Sequence, residues 1–148
     1  TPIKSSAASD VYKRQQETVS LNHSIPLKGI NGKDLQILIA EDNDSNYSLV
    51  KHILKEYQIT RVVNGVEAVE KVRDEEFDIV LMDMKMPIMG GLEATRKIRE
   101  LNPIIPIIAL TANAFDADRV SAMEAGCNAF LTKPLKKEEL LELFSFKL

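Results

Sequence analysis

Four short, mostly apolar runs in this 148-residue chain each stop at a polar residue, and that recurrence constrains the fold more than any other feature. Leu35-Gln36-Ile37-Leu38-Ile39-Ala40 stops at Glu41-Asp42, and Phe77-Asp78-Ile79-Val80-Leu81-Met82 stops at Asp83. Ile104 to Leu110 stops at Thr111, and Asn128 to Thr132 stops at Lys133-Pro134. Runs that are apolar nearly throughout suit strands covered on both faces, as in a parallel sheet. In an open parallel sheet, ligands bind outside the carboxyl ends of the strands, near the switch in strand order. Three acids, a hydroxyl and an amine therefore converge on one crevice.

Between the runs, apolar residues recur at helical spacing. A helix is expected at about 44–57, with Leu49, Val50, Ile53, Leu54 and Tyr57 on one face. A second strand, Ile59 to Val63, ends at the turn Asn64-Gly65, and Val66, Val69 and Val72 mark a helix to about Glu75. Met86-Pro87-Ile88-Met89-Gly90-Gly91 breaks both periodicities and reads as a loop. Further helices are expected at 92–101, 115–125 and 136–147, the last with Leu140, Leu141, Leu143 and Phe144 inward. The strands are expected at about 35–40, 59–63, 77–82, 104–110 and 128–132. Five strands alternating with five helices require right-handed crossovers. The expected fold is α/β, a flavodoxin-like doubly wound parallel sheet of order 2-1-3-4-5.

Composition narrows the class. At 45% hydrophobic and 28% charged residues the chain is globular, and no apolar run approaches the length of a membrane span. A net charge of −3 argues against nucleic acid as a partner. The single Cys127 has no internal disulfide partner and follows Gly126 at the start of an apolar strand, which points to a packing role in a reducing compartment. Ser5 to Gln15 resembles a widely used transposase sequencing adapter translated in frame, so residues 1–15 are set aside from fold reasoning. Without Lys4, Lys13, Arg14 and Asp10, the 19 basic and 22 acidic residues become 16 and 21, and the net charge becomes −5. Residues 16–34, polar and carrying Pro26, Gly29, Asn31 and Gly32, read as a linker, and 35–148 as the folded domain. With no initiator Met, the chain is expected to be the C-terminal part of a longer protein.

A carboxylate can attack phosphorus to give an acyl phosphate. The approach of two anions calls for a divalent cation, and Mg²⁺ favours oxygen ligands such as Glu41-Asp42 opposite Asp83. Lys133 and Thr111 can then hold equatorial phosphoryl oxygens. Singly, each residue has an ordinary explanation. Glu41-Asp42 could cap a helix start, Asp83 could cap the following loop, Thr111 could be a strand-end hydroxyl, and Lys133 a solvated loop lysine. Their joint occurrence at consecutive structural stops reverses those odds.

The sequence resembles a response-regulator receiver domain over about residues 35–147. The resemblance rests on Ile39-Ala40-Glu41-Asp42-Asn43, on Leu81 to Pro87, on Met89 to Thr95, on Leu110-Thr111-Ala112 and on Phe130-Leu131-Thr132-Lys133-Pro134. It implies that Asp83 accepts a phosphoryl group from the phosphohistidine of a kinase or phosphotransfer domain, in a bacterial, cytoplasmic two-component phosphorelay. It also implies that Asp42, Asp83 and the backbone carbonyl of Lys85 hold Mg²⁺, with Glu41 acting through water. Thr111 and Lys133 would contact the phosphoryl oxygens across a cis Lys133-Pro134 bond, and Thr111 with Phe130 would report phosphorylation. Phe130 lacks the phenol often found there, so its switching would depend on packing.

Glu41-Asp42-Asn43 with Asn46, Gly91 to Thr95, and Thr111-Ala112-Asn113 resemble receivers attached to hybrid sensor histidine kinases. The fragment is then no independent enzyme, although its parent would be a histidine kinase. A stand-alone regulator is the alternative. His23 lacks the acidic neighbour of a kinase phosphosite, and His52 is expected on the surface. A haloacid-dehalogenase phosphatase would want an Asp where Lys85 stands, and no Gly-rich phosphate loop occurs. A pseudo-receiver acting only as a docking surface is the remaining rival.

Overall fold

The four apolar runs and the shorter second strand all become strands of one parallel sheet. The computed structural model describes residues 34–112 and 116–145, apart from the side chains of 116–118 and 145. The expected adapter segment, nearly all of the linker, His23 and the residues at 113–115 and 146–148 lie outside the described residues. The elements are β1 (Gln36–Ala40), α1 (Asp44–Ile53), β2 (Gln58–Val62), α2 (Gly65–Asp74), β3 (Ile79–Asp83), α3 (Gly91–Leu101), β4 (Ile107–Thr111), α4 (Asp116–Ala125), β5 (Ala129–Thr132) and α5 (Lys137–Ser145). The sheet order is β2-β1-β3-β4-β5, as expected.

The period-2 geometry of each strand divides the core into two layers. Ile37, Ile39, Ile79, Leu81, Ile108 and Leu110 face α1 and α5, where they meet Val50, Leu54, Leu140, Leu143 and Phe144. Leu38, Ala40, Val80, Met82, Ile107 and Ala109 face the other way, against Ala68 of α2, Ala94 and Ile98 of α3, and Ala122 of α4. Tyr57 meets Phe144 edge to face at 5.5 Å between ring centroids. Cys127 packs in the second layer, and His52 is exposed, both as expected. Among the described residues, no helix is long and apolar enough to cross a membrane.

Several boundaries differ from the sequence reading for identifiable reasons. α1 stops at Ile53, where Leu54 closes it through an N–H to Val50 O, and Tyr57 enters the core from a turn. Leu49 sits off the packed face and is exposed. Leu141 of α5 is only partly buried, beside the fully inward Leu140. β4 begins at Ile107 rather than Ile104. Asn102 Oδ1 accepts the N–H groups of both Ile104 and Ile105, and Pro103 and Pro106 have none to give a ladder. Ile104 is left exposed. β3 starts two residues later than expected and ends one later, so Asp83 is its last residue rather than the first of a loop.

Candidate functional site

Parallel pairing places the ends of β1, β3, β4 and β5 on one edge. Ala40 lies opposite Met82, Asp83 opposite Leu110, and Thr111 opposite Thr132. The ladder extends one step into the loops. Glu41 N donates to Val62 O at 3.0 Å, Met84 N to Leu110 O at 3.0 Å, and Lys133 N to Thr111 O at 2.8 Å. The side chains after each strand are therefore positioned by backbone bonds before any of them interacts.

Lys133 Nζ lies 3.0 Å from Glu41 Oε1 and 3.0 Å from Asp83 Oδ2. Asp83 Oδ1 accepts the N–H of Lys85 at 3.1 Å, and Glu41 Oε2 accepts that of Asn43 at 3.2 Å. Glu41, Asp42 and Asp83 each offer a carboxylate oxygen, all within 4.8 Å of one another. Glu41 and Asp83 are buried, while Asp42 is exposed at the rim. Among the described residues, Asp42 has no hydrogen-bond or ion-pair partner, so its backbone alone sets its place.

Three carboxylates beside one ammonium leave a surplus of negative charge. Burial raises the pKa of Glu41 above the usual carboxylate range, and Asp83 adds to the rise against the opposing pull of Lys133. Burial alone would lower the pKa of Lys133, but hydrogen bonds to Glu41 and Asp83 outweigh it and hold the ammonium above its ordinary value. Lys133 is thus a firmly held cation rather than a solvated loop lysine. The donor set is all oxygen and anionic, as a hard divalent cation requires, so the cluster could hold a metal ion.

The ordinary roles weighed for these residues fall differently. The cap of α1 is Asn43, whose side chain accepts Asn46 N at 2.9 Å, so Glu41 and Asp42 are free of capping. Asp83 does turn the loop after it, through Lys85 N. That loop then bends sharply at Ile88, which has φ 71° inside a Met89 N to Pro87 O bond at 2.7 Å. It is a rare γ-turn for a β-branched residue. The next helix starts at Gly91, where a Cβ would run into the Asp83 carbonyl oxygen.

Thr111 is buried at the end of β4. Phe130 is buried in the second core layer, with the Arg119 guanidinium carbon 4.7 Å from its ring centroid. The Lys133-Pro134 bond is cis. Arg61 of β2 escaped the sequence reading. Its Nε donates to the Glu41 carbonyl at 3.0 Å, and a charged residue in a short apolar strand was the available signal.

The family model for the response regulator receiver domain matches residues 37–145. The autoinducer 2 sensor kinase/phosphatase LuxQ of Vibrio vulnificus is 41% identical over 120 residues, covering 78% of this chain and 14% of that protein. The chain thus spans about a seventh of the length of that relative. The receiver domain of a Pseudomonas aeruginosa PAO1 sensor histidine kinase, solved with magnesium coordinated in its active-site cleft, superposes with TM-score 0.70 at 38% identity. That match covers 74% of this chain and 93% of the other. A chain in the complex of the Saccharomyces cerevisiae phosphotransfer protein Ypd1 with the Ssk1 receiver domain matches at TM-score 0.70 and 28% identity, covering 74% and 85%. With its sheet order, its acid-lined edge and these likenesses, the chain belongs to the response regulator receiver domain family and is homologous to the receivers of hybrid histidine kinases.

Proposed function

We propose that Asp83 is the phosphoacceptor of this receiver. Its carboxylate oxygen attacks the phosphorus of a phosphohistidine on a kinase or phosphotransfer domain. The O–P bond forms as the P–N bond breaks, and the leaving imidazole nitrogen keeps the electron pair and takes a proton from solvent. The observation that carries this reading is the pair of 3.0 Å contacts from Lys133 to Asp83 and Glu41. A cation already beside the nucleophile is preorganised to receive a phosphoryl oxygen, at no reorganisation cost during transfer. Thr111, at the adjoining strand end, is the hydroxyl partner.

Asp42, Asp83 and the Lys85 carbonyl are the proposed Mg²⁺ ligands, with Glu41 acting through water. Bound Mg²⁺ would supply the positive charge that offsets repulsion between carboxylate and phosphoryl group. Thr111 and Phe130 are the proposed reporters of the phosphorylated state. The matches to hybrid kinases support a cytoplasmic receiver unit at 35–148, attached to such a kinase.

Phos-tag electrophoresis after incubation with acetyl phosphate and Mg²⁺ tests the proposal. Wild type should give a shifted band that chelation of Mg²⁺ prevents, and Asp83→Asn should give none. An unshifted wild type would make this a pseudo-receiver, and a shifted Asp83→Asn would place the acceptor elsewhere.

A further inference from the structure

We infer that Arg61, which touches none of the acidic side chains of the cluster, is a positioning residue for the loop carrying Glu41 and Asp42. This inference rests on the reading that the cluster holds a divalent cation. Arg61 lies on β2 opposite Ile39, at the outer edge of the sheet. Its side chain is three-quarters buried and reaches past the end of β1. There its Nε donates to the Glu41 carbonyl at 3.0 Å and its Nη2 meets Asp44 Oδ1 at 2.9 Å. The guanidinium carbon also sits 4.5 Å from the Tyr47 ring centroid. One planar group thus ties the peptide after Glu41 to the first residue of α1 and to the first turn of that helix.

The geometry matters because the Glu41 carbonyl shares its peptide plane with the N–H of Asp42. Fixing that carbonyl fixes the peptide plane, and with it the position of the Asp42 Cα from which the side chain departs. Asp42 has no side-chain partner among the described residues, so this peptide is its main restraint. The preceding peptide is anchored too, by Glu41 N to Val62 O at 3.0 Å, again on β2. The edge strand therefore holds both sides of Glu41, one through its backbone and one through Arg61. Lysine could not do this, since a single ammonium lacks the fork that reaches carbonyl, carboxylate and ring face together. The contact to Asp44 alone would be of little consequence, because that carboxylate is almost fully exposed.

A positioning role and simple electrostatics predict opposite signs for loss of Arg61. Removing a cation near a metal site should tighten Mg²⁺ binding if charge is all that Arg61 contributes, and loosen it if Arg61 places Asp42. Mg²⁺ titration by calorimetry on wild type, Arg61→Ala and Arg61→Gln, each checked for fold by circular dichroism, separates the two. Arg61→Ala should bind Mg²⁺ about tenfold more weakly, the scale of losing a group that orients a metal ligand. Arg61→Gln, which keeps one donor, should fall in between, and it carries the test alone if the alanine variant does not fold.

Acetyl phosphate labelling should need more Mg²⁺ for half-maximal rate in these variants yet reach the wild-type rate at saturation. Unchanged or tighter binding overturns the inference, and so does a lower maximal rate at unchanged Mg²⁺ dependence. A wild type that binds no Mg²⁺ overturns the metal reading along with it, whereas a wild type that binds Mg²⁺ beside an equally tight Arg61→Ala overturns this inference alone.

Discussion

At the carboxyl edge of the sheet three carboxylates crowd one ammonium; at the amino edge one guanidinium, Arg99, meets neutral acceptors. Arg99 Nε donates to Gly126 O at 2.9 Å, Nη1 to Ile105 O at 2.6 Å and to Asn102 O at 3.2 Å, and Nη2 to Asn128 Oδ1 at 2.8 Å. Asn128 Oδ1 also accepts Ile107 N at 2.8 Å, joining β4 to the entry of β5. Gly126, with φ 117°, adopts a backbone that a side chain would resist, and a Cβ there would strike the Arg99 stem.

Apart from Asp42 at the rim, both clusters are at least partly buried, and both order loops, but their charge balance differs. Each nitrogen of the Arg99 guanidinium meets a backbone carbonyl or amide oxygen, and the network holds no carboxylate in need of a counterion. The carboxyl-edge cluster carries surplus negative charge that the folded chain does not neutralise. A polar network that closes on itself serves the fold. One that is left anionic at a strand-end mouth serves a ligand.

The contrast breaks first at Arg99. Arg99→Ala strips donors from the carbonyls of Gly126, Ile105 and Asn102, and half-buried acceptors left unpaired should cost about 3 kcal/mol. Urea unfolding should show this as a lower midpoint with the slope retained. Mg²⁺ affinity measured well below the transition should stay within about twofold of wild type, an order-of-magnitude tolerance for a distant site. An unchanged midpoint would mean the amino-edge network is idle, and a lost Mg²⁺ affinity would mean the two edges are coupled.

The reverse pattern is expected at the other edge. Asp42→Asn removes a proposed metal-ligand charge from an exposed side chain with no partner to strand. Mg²⁺ binding should weaken about tenfold or more, the size of one lost charge interaction at short range in a partly buried site. Stability without Mg²⁺ should hold or rise slightly, because like-charge crowding is relieved. Calorimetric titration together with a thermal melt checks both halves. Unchanged affinity would contradict the proposed coordination, and a large loss of stability would make Asp42 part of the fold.

The sequence made the carboxyl edge legible and the amino edge nearly invisible, for one physical reason. Acids and amines at the ends of apolar runs are brought together by backbone topology alone, so strand order was enough to converge Glu41, Asp42, Asp83 and Lys133. The double contact of Lys133 follows from the same geometry but needs side-chain reach that no spacing encodes. Arg61 reaches the Glu41 carbonyl and Arg99 the Gly126 carbonyl across long stretches of chain, through long side chains, and any residue supplies a carbonyl. Nothing in the residue types near Gly126 or Ile105 marks them as acceptors. The late start of β4 had a readable cause in Pro103 and Pro106, but the decisive step, Asn102 capturing two backbone N–H groups, belongs to the folded turn.

The mildest test of the comparison is Cys127, which at neutral pH should show no effect at all. Its thiol sits among the residues around Arg99, with Sγ 3.8 Å from Thr95 Oγ1. Burial pushes its pKa from 9.0 up to about 11, against smaller opposing pulls from Thr95 and Arg99. A thiolate is the reactive form, so native protein at pH 8 should resist iodoacetamide, while urea-unfolded protein reacts. The linkage has a definite sign. The unfolded thiol ionises first as pH rises, so the stability contribution is intact below pH 9 and is lost as pH climbs toward 11.

Because lysines and tyrosines also titrate there, the informative quantity is wild type minus Cys127→Ala. That difference should be flat below pH 9 and then move against wild type, at a slope approaching about 1.4 kcal/mol per pH unit. Rapid alkylation of the folded protein at pH 8, or a difference that stays flat through pH 10.5, would show that this edge admits water and charge as the acid-lined edge does.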